Sequence, residues 1–258
     1  MFIKLFKYSI RDVARSKWLL LYGLFFLLLT EFLIWFSSDT SRAVVSLLNV
    51  IIIIIPLVSI IFGTIYTYNS REFVELLLSQ PISRKSLYHS IYLGLTIPLV
   101  MAYLIGIAIP LIIQTDIDIS ILLIILVSGI ALTFIFVGIA FTMALSFDDK
   151  VKGMGFSFII WLSLSLIYDA SILLLIWLLG DYPLESALII VSSANPIDLS
   201  RIMVMLKFDV AALMGYTGAI FQRFFGGLTG IIYSISVLLI WIVALYFIGR
   251  IKFNRKNF

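Results

Sequence analysis

Residues 43–68 read AVVSLLNVIIIIIPLVSIIFGTIYTY. Across this stretch there is no Asp, Glu, Lys or Arg, so a helix built from it has no charged face to turn toward water. At 1.5 Å of rise per residue, about 20 apolar residues cross a hydrocarbon layer of about 30 Å. The stretch is therefore expected to be a transmembrane helix, bent at Pro56 because proline frees a carbonyl one turn earlier.

Working outward with the same criterion, five further segments qualify, near 18–36, 87–113, 121–145, 154–179 and 228–249. Pro98 and Pro110 mark bends in the span that opens at 87, as hinges or as packing features. The composition agrees. Only 12% of the 258 residues are charged and 62% are hydrophobic, whereas a soluble domain carries about 25% charged residues to solvate its surface. The expected fold is all-α: one polytopic membrane domain, residues 1–258, with six transmembrane helices and no internal repeat. MFIKLFKYSIRDVARSK, residues 1–17, sets Phe2, Leu5, Phe6, Ile10 and Val13 at helical spacing against Lys4, Lys7, Arg11 and Arg15. It reads as an interfacial amphipathic helix, not as a cleavable leader, and leads into a retained first span.

Six spans put both termini on one side, and the basic residues choose that side. Fourteen of the eighteen Lys and Arg residues fall in the N-terminal arm, the 69–86 loop, the 146–153 loop and the tail, which are thereby expected in the cytoplasm. The net charge of +4 is accordingly a matter of membrane orientation, with a lipid bilayer and no nucleic acid as partner. There is no cysteine, which excludes disulfides and thiolate metal sites. The one histidine, His89, cannot make a transition-metal site alone and is expected to snorkel at the interface. No catalytic carboxylate pair, nucleophile motif or phosphate loop G-x-x-x-x-G-K-[ST] is present, so the chain is not expected to be an enzyme or to hydrolyse ATP.

One cytoplasmic stretch departs from this pattern. In NSREFVELLLSQPISRKSLY, residues 69–88, Asn69 is placed to cap a helix with Glu72 three residues later, and Pro81 to end it. Phe73, Val74, Leu76 and Leu77 form its apolar side, with Glu72 and Glu75 one turn apart. An acidic amphipathic helix gains nothing from an anionic leaflet, so a protein partner accounts for it better than the membrane surface; a solvated loop helix is the alternative. The second loop, SFDDKVKG, offers Asp148, Asp149 and Lys152 as a smaller contact, or is a solvated turn.

Between spans five and six lies an outer segment, 180–227, too apolar for a disordered linker. Asn195 and Pro196 suit a helix start, with Asp198 near the positive end of its dipole, and Asp209 suits the start of a second short helix through Ala211, Leu213 and Met214. Short helices half embedded on the outer face are expected. Met203, Met205 and Met214 are soft ligands suited to copper, yet residues two apart on a helix diverge by about 200°, which favours packing. Glu31 and Asp169 lie within spans, where a carboxylate costs at least about 2.5 kcal/mol. Either they line a cavity between two copies, or Glu31 sits near the outer interface and Asp169 bonds to a neighbouring helix.

The basic amphipathic first helix, the six spans and a first loop of the form REFVELLLSQPISRKSLY resemble the permease subunits of type 2 ABC exporters. NPIDLSRIMVMLKFDVAALMGYTGAIFQRFFG is similar to the outer region of the NosY branch, the membrane subunits of NosDFY transporters, through the Asn-Pro pair, Asp198, Arg201 and an Asp/Ala/Leu/Gly stretch. The resemblance implies a non-catalytic homodimer in the bacterial inner membrane, paired with two NosF-like ATPase subunits that hold the ATP and Mg. Glu72, Glu75, Leu76, Leu77, Pro81 and Arg84 would be its coupling residues, with Asp148 and Asp149 as a lesser contact. It further implies a NosD-like periplasmic partner docked on Asn195, Pro196, Asp198, Arg201 and Asp209. The complex would assemble the copper centres of nitrous oxide reductase during denitrification, with copper as cargo and no cofactor on this chain. A general exporter of lipid, peptide or drug, and a purely structural membrane anchor, are the competing readings.

Overall fold

A computed structural model describes residues 2–37, 40–114, 117–179, 185–208 and 215–256, and the described residues form helices and short connections. In chain order these are α1 (Phe2–Ala14), α2 (Lys17–Phe36), α3 (Thr40–Asn69), α4 (Arg71–Leu78), α5 (Arg84–Gln114) and α6 (Ile119–Ser146). There follow α7 (Lys150–Leu162), which runs through one π-helical turn into α8 (Tyr168–Leu179), then α9 (Glu185–Ser193), α10 (Pro196–Phe208) and α11 (Gly215–Arg255).

Six helices among the described residues are long and apolar enough to span a bilayer: Lys17–Phe36, Arg42–Asn69, Arg84–Gln114, Ile119–Ser146, Lys150–Leu178 and Gly227–Arg255. The chain is a multi-pass membrane protein. The last span is the far part of a helix that starts well before residue 228, because the backbone runs helically through Gly226 and Gly227, each glycine costing about 1 kcal/mol relative to alanine. Pro56, Pro98 and Pro110 are accommodated inside α3 and α5.

α6 is the centre of the bundle. It packs on α3, α5, α7, α10 and α11, with Leu132, Ile135, Phe136 and Ala140 fully enclosed. In lipid there is no water to drive apolar faces together, so helices hold one another through close packing at small residues. A methyl group on Gly63 would come within 2.6 Å of the Ala140 Cβ, which sets how closely α3 lies on α6. Half or more of the most apolar stretch of α3, α5 and α6 is buried, against about one fifth in α2, the α7–α8 span and α11. The latter group forms the outer wall, with Trp18, Trp35 and Trp177 exposed near helix ends, where indole rings favour the headgroup level.

α1 is amphipathic as expected, but its buried face is laid on α5, with Val13 and Ser9 enclosed and Lys4, Lys7, Arg11 and Arg15 exposed. α1, α4, the α6–α7 turn and the end of α11 gather at one end of the bundle, called the basic end below. Gly94 permits the docking of α1, since any Cβ there would overlap the Ser9 side chain. Gly94→Val is expected to lift α1 at a cost of about 1–3 kcal/mol, the range for overpacking. Because the chain is free of cysteine, the check is direct: maleimide labelling of a single Ile10→Cys should rise in the Gly94→Val background.

Candidate functional site

α4 continues α3 after one intervening residue. Ser70 is helical in its dihedrals, its N–H donates to Tyr66 O (2.9 Å), its carbonyl accepts from Val74 N (2.9 Å), and its side chain caps nothing. The expected capping box is therefore absent, and the Asn69 side-chain Oδ1 instead accepts from Lys150 Nζ at 3.3 Å. What fixes α4 is Arg71, which the sequence reading passed over. Its guanidinium donates to the carbonyls of Ala144 (3.0 Å), Phe147 (2.8 Å) and Asp148 (2.8 Å) and lies 4.4 Å from the Tyr68 ring centroid. Those carbonyls close α6 and carry the negative end of its dipole, so a cation is well placed. Tyr68 reinforces the joint, its hydroxyl shared between Phe147 O (2.9 Å) and Asp149 O (3.1 Å).

With Val74 buried, Leu77 packed at the core margin and Phe73 stacked on Tyr8 (5.2 Å between centroids), the remaining face of α4 is held outward. Glu72, Glu75 and Leu76 project from it, Leu76 with 68% of its surface exposed, and Pro81 is exposed just beyond. The result is a short, firmly anchored helix presenting two carboxylates around one apolar side chain.

Arg84, Asp148 and Asp149, expected to join this face, each have a partner within the chain, and both aspartates stay exposed. Arg84 donates to Asn254 O (3.2 Å) and Lys256 O (2.8 Å), the carbonyls that end α11. Asp149 is the N-cap of α7, accepting from Val151 N (2.7 Å) and Lys152 N (3.3 Å), which a helix start requires. Asp148 meets Lys256 Nζ at 3.1 Å, and this hydrogen bond and charge hold its carboxyl below the usual carboxylate range. Lys256 also donates to Leu145 O at 3.0 Å and binds the tail to the α6–α7 turn. His89, expected to snorkel, instead meets the Tyr246 hydroxyl through Nε2.

Between spans five and six the expected short helices are present as α9 and α10, set deeper than an outer-face position predicts. α9 and α10 form a hairpin bent by 110° between Ala187–Ser193 and Pro196–Lys207. Its corner reaches the middle of two spans, with Asn195 Nδ2 donating to Leu164 O (2.8 Å) and Trp241 Nε1 to Ser193 O (3.2 Å). Asn195 caps α10 by accepting from Ile197 N (3.0 Å), with Pro196 at the first helical position. Asn195, Pro196 and Asp198 are buried, so these predicted docking residues build the hairpin and offer no outer surface. Inside it, Arg201 bonds Asp169 of α8 at 3.0 Å and lies 3.9 Å from Asp198. Asp169 thus bonds to a neighbouring element, although 39% of its side chain stays exposed within a span. Glu31 accepts from Gln114 at the end of α5 away from the basic end. Met203 is enclosed in the core and Met205 packs at its margin, while Asp209 and Met214 lie outside the described residues.

Removing Arg71 orphans three carbonyls, and Arg71→Ala is expected to cost about 1–3 kcal/mol, the range for charge-assisted hydrogen bonds, read as a lowered unfolding temperature in detergent. Arg201→Leu leaves two carboxylates uncompensated in hydrocarbon. It should cost of the order of 2 kcal/mol, less than for a fully buried pair given the residual exposure, and more than the double replacement Arg201→Leu with Asp169→Leu. Since the folded-state value of Asp148 is depressed, its hold on Lys256 is present above the ordinary carboxylate range and is lost as pH falls through the lowered value. A spin label at Asn254 should gain mobility on acidification, and Asp148→Asn should remove the pH dependence.

No known family profile matches the chain. It is similar to the probable ABC transporter permease protein NosY of Pseudomonas aeruginosa, with 26% identity over 226 residues, covering 80% of this chain and 82% of the relative. That likeness covers about four fifths of each chain, and the six helices long and apolar enough to cross a membrane agree with a membrane permease.

Proposed function

We propose that this chain is the membrane-spanning half of an ATP-driven transporter in the bacterial inner membrane, with both termini cytoplasmic, acting as a homodimer with two ATPase subunits. The carrying observation is the anchored α4, whose Glu72, Glu75 and Leu76 point away from the bundle while Arg71 and Tyr68 lock its base to α6. A helix that must transmit motion needs a stiff base and a free face, and α4 has both. The ATP and Mg belong to the ATPase, and this chain supplies the docking face and the moving spans.

The likeness to a NosY protein supports a finer reading, in which the transporter serves copper-centre maturation of nitrous oxide reductase with a NosD-like periplasmic partner. Because Asn195, Pro196 and Asp198 are buried, that partner would meet the outer ends of the spans, not the hairpin start. Copper would then be cargo of the complex. Export of lipid, peptide or drug is the alternative.

Purification of the tagged chain from its native membrane in mild detergent, with mass spectrometry of bound proteins, tests both levels. An ABC ATPase together with a periplasmic protein is the expected result. Glu75→Arg should release the ATPase by at least tenfold, about 1.4 kcal/mol, while leaving the unfolding temperature unchanged, because Glu75 is exposed. Recovery of an ATPase without a periplasmic protein selects the general exporter, and absence of any ATPase overturns the proposal.

A further inference from the structure

At the basic end, where α1 turns into α2, a groove of about 700 Å³ opens between that corner and the last two turns of α3. Asp12, Arg15 and Asn69 stand along it with Trp18, Ile61 and Ile65. Its depth is set by the spans themselves. Trp18 belongs to the first turn of α2 and Asn69 to the last of α3, so the groove lies at headgroup level, with its apolar wall continuing into the hydrocarbon.

The two charges are the informative feature. Asp12 and Arg15 stand three residues apart at the end of α1, a spacing that favours pairing across a helix turn. Yet no ion pair of 4.0 Å or less joins them, and neither side chain forms a hydrogen bond with another described residue. Both are exposed. A cation and an anion thus stand side by side along one groove whose other wall is Ile61 and Ile65.

We propose that this groove is a binding site for a zwitterionic aminophospholipid, its phosphate on Arg15, its ammonium on Asp12 and one acyl chain along Ile61 and Ile65. A guanidinium forks onto phosphate oxygens, and a carboxylate accepts from an ammonium, so one headgroup satisfies both side chains. An anionic lipid that lacks the ammonium uses Arg15 only and is repelled by Asp12. A free phosphate compound leaves the apolar wall uncovered. The volume falls within the range of small-molecule sites, enough for the headgroup and the upper part of one chain. Nothing here depends on an ATPase partner.

The test is native mass spectrometry of the purified full-length chain equilibrated with equal amounts of phosphatidylethanolamine and phosphatidylglycerol. Retention of the first over the second by about fivefold is expected for the unmodified chain, a difference that one well-placed charge contact supplies. Asp12→Asn should bring the ratio to about one or reverse it, Arg15→Gln should lower retention of both lipids, and Ile65→Trp should fill the groove and abolish the preference. Equal retention of the two lipids by the unmodified chain overturns the proposal, whatever the variants do. Displacement of bound lipid by soluble phosphoethanolamine alone overturns the part assigned to the acyl chain.

Discussion

Hydrocarbon offers no hydrogen bonds, and each backbone or side-chain polar group left unpaired in it costs several kcal/mol. That constraint is felt throughout this chain. Serines and threonines inside the spans turn back onto the carbonyl one turn earlier, as Thr30 does to Phe26 (2.7 Å), Thr96 to Tyr92 (2.7 Å) and Thr142 to Gly138 (2.8 Å). Two buried tyrosines reach across to a neighbouring helix instead, Tyr103 to Ile125 O (2.7 Å) and Tyr92 to Phe134 O (2.9 Å), whereas the enclosed Tyr22 hydroxyl has no such partner. These cross-links supply α5–α6 packing with a directional component that apolar contact lacks.

The re-entrant hairpin meets the same constraint in a harder setting. A chain that turns around at membrane depth exposes the open end of one helix and the start of another. Most of the polar groups at the corner are paired: Asn195 serves both its own helix and Leu164 O, Ser193 O receives the Trp241 indole, and Arg201 stands between two carboxylates, while the Ser192 hydroxyl and one oxygen of Asp198 stay buried without a hydrogen bond. Irregular backbone is tolerated there because α3, α6 and α11 pack around it, with Asp169 of α8 reaching Arg201.

What was legible in the sequence is what is local. The six spans follow from runs of apolar residues, and the outward face of α4 from the spacing of Glu72 and Glu75, although Leu76, read onto its apolar side, turns outward with them. The hairpin start at Asn195-Pro196 was visible too, because capping chemistry is local. Its depth was not. A short apolar helix carrying an Asp and an Arg looks the same at an interface as inside a bundle, and the difference lies in Asp169, 32 residues before Arg201. Arg84 and Asp148 have partners that lie far along the chain and leave no local signal, the carbonyl end of α11 for Arg84 and Lys256 for Asp148, which keeps most of its side chain exposed. Arg71 was overlooked because nothing beside it in the chain reveals that it closes α6.

The two flanks of α4 are unlike. On one side a single helical residue, Ser70, separates it from α3, and the backbone hydrogen bonds run on without a gap. On the other, residues 79–83 form a turn with no regular structure before α5 begins. A load applied to α4 is therefore carried stiffly backward into α3 and, through Arg71, sideways into α6, while α5 is reached only across a slack joint. In the role proposed for α4, the chain would act as a bell crank, with its pivot at the carbonyl end of α6 and its long arm running along α3 to the far side of the membrane.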